Sequence, residues 1–239
     1  MTEWWTYTLS DFLLFSPRAY HRLFELFNAA VWPLHIPMLA LGLAIVALAL
    51  WGGPPGGRVT AGALSACWLW VAWAFFHQRY ATINWAAEYI AVAFAIQAGL
   101  LLLLGRRRRA PMTWSSSNRA VGIGLIIFAV IFQPLLGPLL GRSWRQVEVF
   151  GLAPDPTVVA TLGALLVAGP HAPWALWAIP VLWCVVGGAT LWAMEESDAF
   201  VLPIASILAI TTLLVARMRR PSGKEIAEAH RQAGHAGFR

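Results

Sequence analysis

The sequence predicts an all-α fold, a polytopic transmembrane helical bundle of about seven spans plus an N-terminal interfacial amphipathic helix. Three observations predict it. Of 239 residues, 59% are hydrophobic and only 12% are charged. A soluble domain carries about 25% charged residues, so this chain lacks the polar side chains to cover a water-facing surface. Several apolar runs approach the ~20 residues that cross a bilayer as a helix. These runs are continuously apolar, unlike the ~10-residue alternating segments of a membrane β-barrel.

Residues 1–28 read as an N-terminal interfacial segment. Over 11–28, "DFLLFSPRAYHRLFELFN", apolar and charged residues recur at helical spacing. Ser16 is placed to cap and Pro17 to occupy the first helical position, which predicts an amphipathic helix on the membrane surface. Glu3, Asp11, Arg18, Arg22 and Glu25 interrupt any apolar core that a secretory signal would need.

The seven-span membrane domain covers 29–216. Span one runs over 29–51, with Trp32 and Trp51 at its ends, where amphipathic rings favour the headgroups. "GGPPGG" breaks the chain there. Spans two and three, 60–77 and 84–104, are joined by the turn "FFHQRYATINWAAEY", in which Tyr80 and Trp85 are expected at headgroup level and Asn84 as a helix cap. "RRRRAPMTWSSSNR" leads into span four, 120–140. A polar loop ends in "APDPT", where Asp155 can cap and Pro156 can start span five, 156–169. That span is short, because 14 residues at 1.5 Å each reach ~21 Å against a core of ~30 Å. Span six covers 174–194, "EESD" is a loop, and span seven covers 199–216. Residues 217–239 form a basic cytoplasmic tail, in which Ser222 and Glu225 have the spacing of a capping box.

A re-entrant span five would leave six crossings, and basic residues choose between the two. With seven, Arg58, Arg106, Arg107, Arg108, Arg109, Arg119 and the six basic residues of the tail share one side, 12 of the 17 Lys and Arg. With six, the arginine run and the tail fall on opposite sides. Short loops rich in Lys and Arg stay cytoplasmic. The expectation is therefore a protein of the bacterial cytoplasmic (inner) membrane, N-terminus outside and C-terminus cytoplasmic. The acidic residues sort with it, since only Glu225 and Glu228 of the 11 are on the inner side. The pI near 10 follows from these clusters, so topology and not nucleic-acid binding explains it.

Glu88 stands one turn inside span three, where a carboxylate costs a few kcal/mol unless it faces protein or water. His77, from the end of span two, is its expected partner, and with His35 and Asn84 these are the ligand or ion candidates. Ala87, Ala91, Ala95 and Gly99 form a small-residue stripe on the same helix, predicting close packing along it. Asp155, Glu195, Glu196 and Asp198 make an outer acidic patch. Prolines 33, 37, 134, 138, 156 and 203 gather in the outer half and break or bend helices. Broken helices beside an acidic pocket are a cation-binding arrangement in transporters, and helix ends and bends explain the same prolines. His35 and His77 would be the ligands if haem were bound, but no cofactor is predicted. No catalytic residue is assigned, and neither HExxH nor paired Cys and His spacing marks a metal site. Cys67 and Cys184 lie inside apolar runs and read as inert thiols.

"ELFNAAVWP", "CWLWVAWAFFHQRYATINWAAEYIAVAFAIQ", "VFGLAPDPTVVATLGALLV" and "IPVLWCVVGGATLW" together resemble a family of multi-pass bacterial membrane proteins of unknown function. The resemblance covers about residues 24–212. The family's Asn-x-x-x-Trp-Pro start is matched by Asn28, Trp32 and Pro33. Its His-x-x-aromatic-x-x-Ile-Asn turn is matched by His77, Tyr80, Ile83 and Asn84. Its Pro-Cys-Pro-Thr helix start is matched in part, with Asp155 in the Cys position before Pro156 and Thr157. The resemblance implies bacterial origin and architecture, and no activity.

Three functional readings stay open. One is a non-catalytic accessory or scaffold subunit of a membrane complex, with protein partners or a homo-oligomer in the lipid bilayer. The second is a small cation or solute transporter or channel with an outer-facing acidic site. The third is a haem- or quinone-binding redox membrane subunit.

Overall fold

The computed structural model describes residues 15–51, 53–105 and 116–218. The four-arginine run, the first 14 residues and the tail beyond 218, with its Ser222–Glu225 spacing, lie outside them. Among the described residues every regular element is helical. The elements are α1 (Pro17–Val31), α2 (His35–Trp51), α3 (Gly53–Trp70), α4 (Ala87–Leu104), α5 (Ser116–Ile127), α6 (Gln133–Leu139), α7 (Pro154–Ala168), α8 (Ala175–Ala193) and α9 (Val201–Met218). Wider π-helical turns over Val71–His77 and Phe128–Phe132 continue α3 toward the next turn and join α5 to α6.

Five helical stretches are long and apolar enough to cross a membrane: Pro55–Thr82, Ala87–Leu104, Asn118–Leu139, Ala175–Ala193 and Val201–Met218. α2 and α7, at 17 and 15 residues, are shorter.

α1 begins as its sequence dictates. Ser16 accepts a 3.2 Å hydrogen bond from the Ala19 amide, and Pro17 opens the helix. Tyr20, Leu23, Phe24 and Phe27 form its buried face, packed on Phe75 and Tyr80. The helix runs on to Val31 and meets α2 at 93°. The first apolar span therefore starts at His35 and not at 29, because Pro33 disfavours helical backbone in the residue before it.

α7 is the centre. It packs against α3, α5, α8 and α9, and Pro154 through Gly163 are all buried. Gly122 of α5 and Gly163 of α7 allow the closest crossing: a Cβ on Gly163 would stand 2.5 Å from the Gly122 carbonyl oxygen. Several polar side chains inside the bundle donate to near neighbours. Trp68 donates to Thr161 at 2.8 Å, Thr161 to the Thr157 carbonyl, Ser65 to the Ala98 carbonyl and Gln97 to the Leu176 carbonyl.

Three local expectations need correcting. The buried face of α4 is Ala87, Ala91, Phe94, Ala98 and Leu101, while Ala95 is exposed and Gly99 has open space beside it. A four-residue repeat advances about 400° on a helix of 3.6 residues per turn, so it drifts about 40° per step and leaves the contact face by Ala95. Tyr80 is not a headgroup anchor. It is 4% exposed, in an aromatic cluster with Tyr20, Phe75 and Phe76 beneath α1. Asp155 does not cap α7, which starts one residue earlier, at Pro154, with Ala153 as its N-cap.

Candidate functional site: an acidic cavity at one end of the bundle

Loop residues 140–153 and the turn between α8 and α9 meet at the end of the bundle where α7 begins. Gly141, at φ +90°, turns the chain out of α6, and the Arg142 amide donates back to the Gly137 carbonyl at 2.8 Å. This aims the Arg142 side chain inward, onto the carboxylate of Asp198, with Glu196 at 3.8 Å. His21 of α1 reaches Glu196 from the other side, with Nε2 at 2.7 Å from Oε1. Asp155, 3% exposed, accepts a 2.8 Å hydrogen bond from Trp183 Nε1 of α8.

Gln133, Arg142, Glu148, Asp155 and Asp198 line one small cavity of about 20 Å³, a volume sufficient for one water-sized species. Gln133 is 8% exposed, and its side-chain oxygen has no hydrogen-bond partner. Oδ1 of Asp198 and Nε of Arg142 are also unpartnered. Four carboxylates (Glu148, Asp155, Glu196 and Asp198) thus share one guanidinium and one imidazole. Buried charge in such excess is costly, and this favours the protonated form of the most enclosed carboxyl. Glu148 is part-exposed as a residue, yet its carboxyl is densely surrounded by protein. Burial first, then the nearby Asp155 carboxylate, pushes it well above the usual carboxylate range, against the pull of Arg142. Burial alone would lower Arg142, but Asp198 and Glu148 outweigh it and keep the guanidinium charged. Among the described residues, no three His, Cys, Asp or Glu side chains are grouped to hold a metal ion.

Of the outer acidic patch, Asp155, Glu196 and Asp198 converge here. Glu195 is exposed and ends α8 in a left-handed conformation, φ 60°. Glu88 and His77 do meet, with Nδ1 at 2.9 Å from Oε2, but both side chains are 51% exposed, away from this cavity. Asn84 accepts from the Ala86 amide at 2.9 Å and shapes the turn, and α4 starts later, at Ala87. His35 holds Oδ1 of Asn28 through Nε2 at 3.2 Å. The two histidines considered as haem ligands thus each engage another side chain. Sequence reasoning missed Gln133 and Trp183, and counted Arg142 and Glu148 only as outer charges. Gln133, a lone amide inside an apolar span, was the signal available for the first of these.

Fold and site together define a protein that is all-helical over its described residues, with several membrane-length apolar helices and a buried acidic cluster at one bundle end. The chain belongs to DUF6064, a family of unknown function whose model matches residues 18–224. No curated protein and no solved structure matches it.

Proposed function

We propose that the chain is a non-catalytic accessory or scaffold subunit of a membrane complex, an integral protein of the bacterial cytoplasmic membrane with seven crossings. The observation that carries this reading is the enclosure of α7. α7 is closely packed along most of its length, with its threonines bonded to neighbouring backbone and indole groups. Such a core suits a rigid body that presents surfaces to partners.

Contacts between helix ends support alternating crossings with the N-terminus outside. Arg119, at the start of α5, donates to the Ala49 and Leu50 carbonyls at the end of α2. Arg217, at the end of α9, donates to the Pro170 and Ala172 carbonyls beyond the end of α7. Both arginines belong to the side that basic residues assign to the cytoplasm. The test is solubilisation in two mild detergents with quantification of co-purifying chains, beside cysteine labelling of intact cells. The expected result is a partner or second copy in fixed stoichiometry, with Ser197→Cys labelled from outside and Arg58→Cys protected. Flux carried by the isolated protein in proteoliposomes overturns the subunit reading, and outside labelling of Arg58→Cys overturns the topology.

A second reading, a proton-accepting site in a small transporter, is favoured by the unpartnered Gln133 oxygen facing excess carboxylates. Proton-coupled flux lost in Glu148→Gln would establish it over the first.

A further inference from the structure

A second concavity lies between α1, α2, the α5–α6 rod and loop 144–149, on the same end of the bundle as the acidic cavity but opening sideways. It encloses about 850 Å³, within the range of sites that take a small molecule. Its two ends differ in chemistry. The floor is Leu39, Leu43, Val130, Ile131 and Leu135, and the mouth holds Arg22, Arg145, Trp32 and Trp144. We propose that this groove binds one anionic phospholipid of the leaflet on the α1 side, with its phosphate at Arg145 and Arg22 and an acyl chain along α2. The proposal goes beyond the subunit reading and rests on its claim that the chain sits in a membrane.

Depth is the first argument. His35 opens α2 at the mouth, and Leu39 and Leu43 follow one and two turns down. Eight residues at 1.5 Å carry the groove about 12 Å below His35, close to half of a ~30 Å hydrocarbon core. The groove therefore spans one leaflet and stops near the midplane, as an acyl chain does.

Charge is the second argument. Arg22 bonds Glu25 at 2.6 Å, and Glu25 is also held by Gln146 at 2.8 Å. Arg145 lies close enough to act on the same carboxylate and is itself exposed. Two guanidiniums against one carboxylate leave the mouth net positive and able to hold phosphate bidentately. Trp32 and Trp144, 64% and 68% exposed, flank it at the depth where indoles favour the headgroup region.

The rigidity of the mouth is the third. Asn28 Nδ2 donates to the Arg145 and Val147 carbonyls, each at 2.9 Å, and its Oδ1 accepts from Nε2 of His35 at 3.2 Å. This network fixes the loop that carries Arg145 against the α1–α2 corner. Nδ1 of His35 is buried and has no hydrogen-bond partner.

The test uses the full chain in maltoside micelles doped with phosphatidylglycerol or phosphatidylcholine, read by native mass spectrometry and by thermal unfolding. One phosphatidylglycerol per chain is expected, bound more tightly than phosphatidylcholine. Arg145→Gln should bind phosphatidylglycerol about tenfold more weakly, the size of one charge-assisted hydrogen bond, and leave phosphatidylcholine unchanged. Leu43, 52% exposed, has room to become Trp, which should fill the floor and lower retention of both lipids without shifting lipid-free unfolding. Equal affinity for the two lipids, an Arg145→Gln variant with wild-type preference, or undiminished retention in Leu43→Trp each overturns the proposal. So does a protein segment found cross-linked in the groove in place of lipid. A chain that stays soluble without detergent instead removes the membrane reading itself.

Discussion

The indole nitrogen of Trp183 donates a 2.8 Å hydrogen bond to the Asp155 carboxylate, and this bond joins α7 to α8 inside the bundle. Trp183 is wedged there by edge contacts with Phe76 and Phe94, at 5.1 and 5.4 Å between ring centroids. Asp155→Asn retains an acceptor and discards a buried charge, so it should leave thermal stability near wild type. Asp155→Ala strands the indole N–H and should cost about 1–3 kcal/mol. Unfolding followed by tryptophan fluorescence in detergent distinguishes the two, and equal losses would mean the charge itself is required.

The α5–α7 crossing makes a second prediction. Gly163→Ala places a methyl against the Gly122 carbonyl and the Ile126 side chain, and Gly122→Ala meets the Gly163 carbonyl at 2.7 Å. Backbone cannot step aside as a flexible side chain does, so each should lose about 1–3 kcal/mol. Gly124, between Gly122 and Ile126 in sequence, has nothing within 4 Å, and Gly124→Ala should be neutral or slightly stabilising through helix propensity.

On α4, Ala91→Leu and Ala98→Leu overpack buried positions, whereas Ala95→Leu adds apolar surface on an exposed one. The first two should lower the midpoint of thermal unfolding and the third should not. Losses at Ala91 and Ala95 with Ala98→Leu tolerated would restore the four-residue stripe as the contact face.

Glu148 gives the pH prediction. Its folded pKa is raised by burial, so the native state binds its proton more tightly than the unfolded chain does. The stability tied to that proton is full below the ordinary carboxylate range and is lost as pH rises through the raised value. Glu148→Gln removes the titration. The variant should match wild type at pH 4 and exceed it at pH 8, a pattern that unfolding scans across that interval would show or refute.

Long apolar runs were legible because a bilayer-length stretch needs no partner to identify it. The starts and stops of α3, α4, α8 and α9 fall within a few residues of those expected, apart from α3, which extends back to Gly53. The cap at Ser16 was legible because it is local chemistry: a hydroxyl, then Pro, then a helical run. What escaped depends on residues far apart in the chain. Tyr80 reads as an interfacial ring until α1 is laid over it. Arg142 and Asp198, 56 residues apart, read as two surface charges until loop and turn converge. Glu88 and His77 were paired from sequence because only a short turn separates them. Their exposure makes the pair worth at most about 1 kcal/mol of stability.

The contact between His21 and Glu196 spans 175 residues, and this has a consequence for the order of events on the ribosome. α1 is made well before the acid that its His21 meets. At about 5–20 residues per second, the first helix waits on the order of ten to thirty seconds before its anchor exists. Its aromatic face has partners sooner, because Phe75 and Tyr80 follow α1 closely in the chain. α1 therefore settles in two stages: its aromatic face can meet Phe75 and Tyr80 early, and the His21–Glu196 contact closes only once the turn between α8 and α9 has been made.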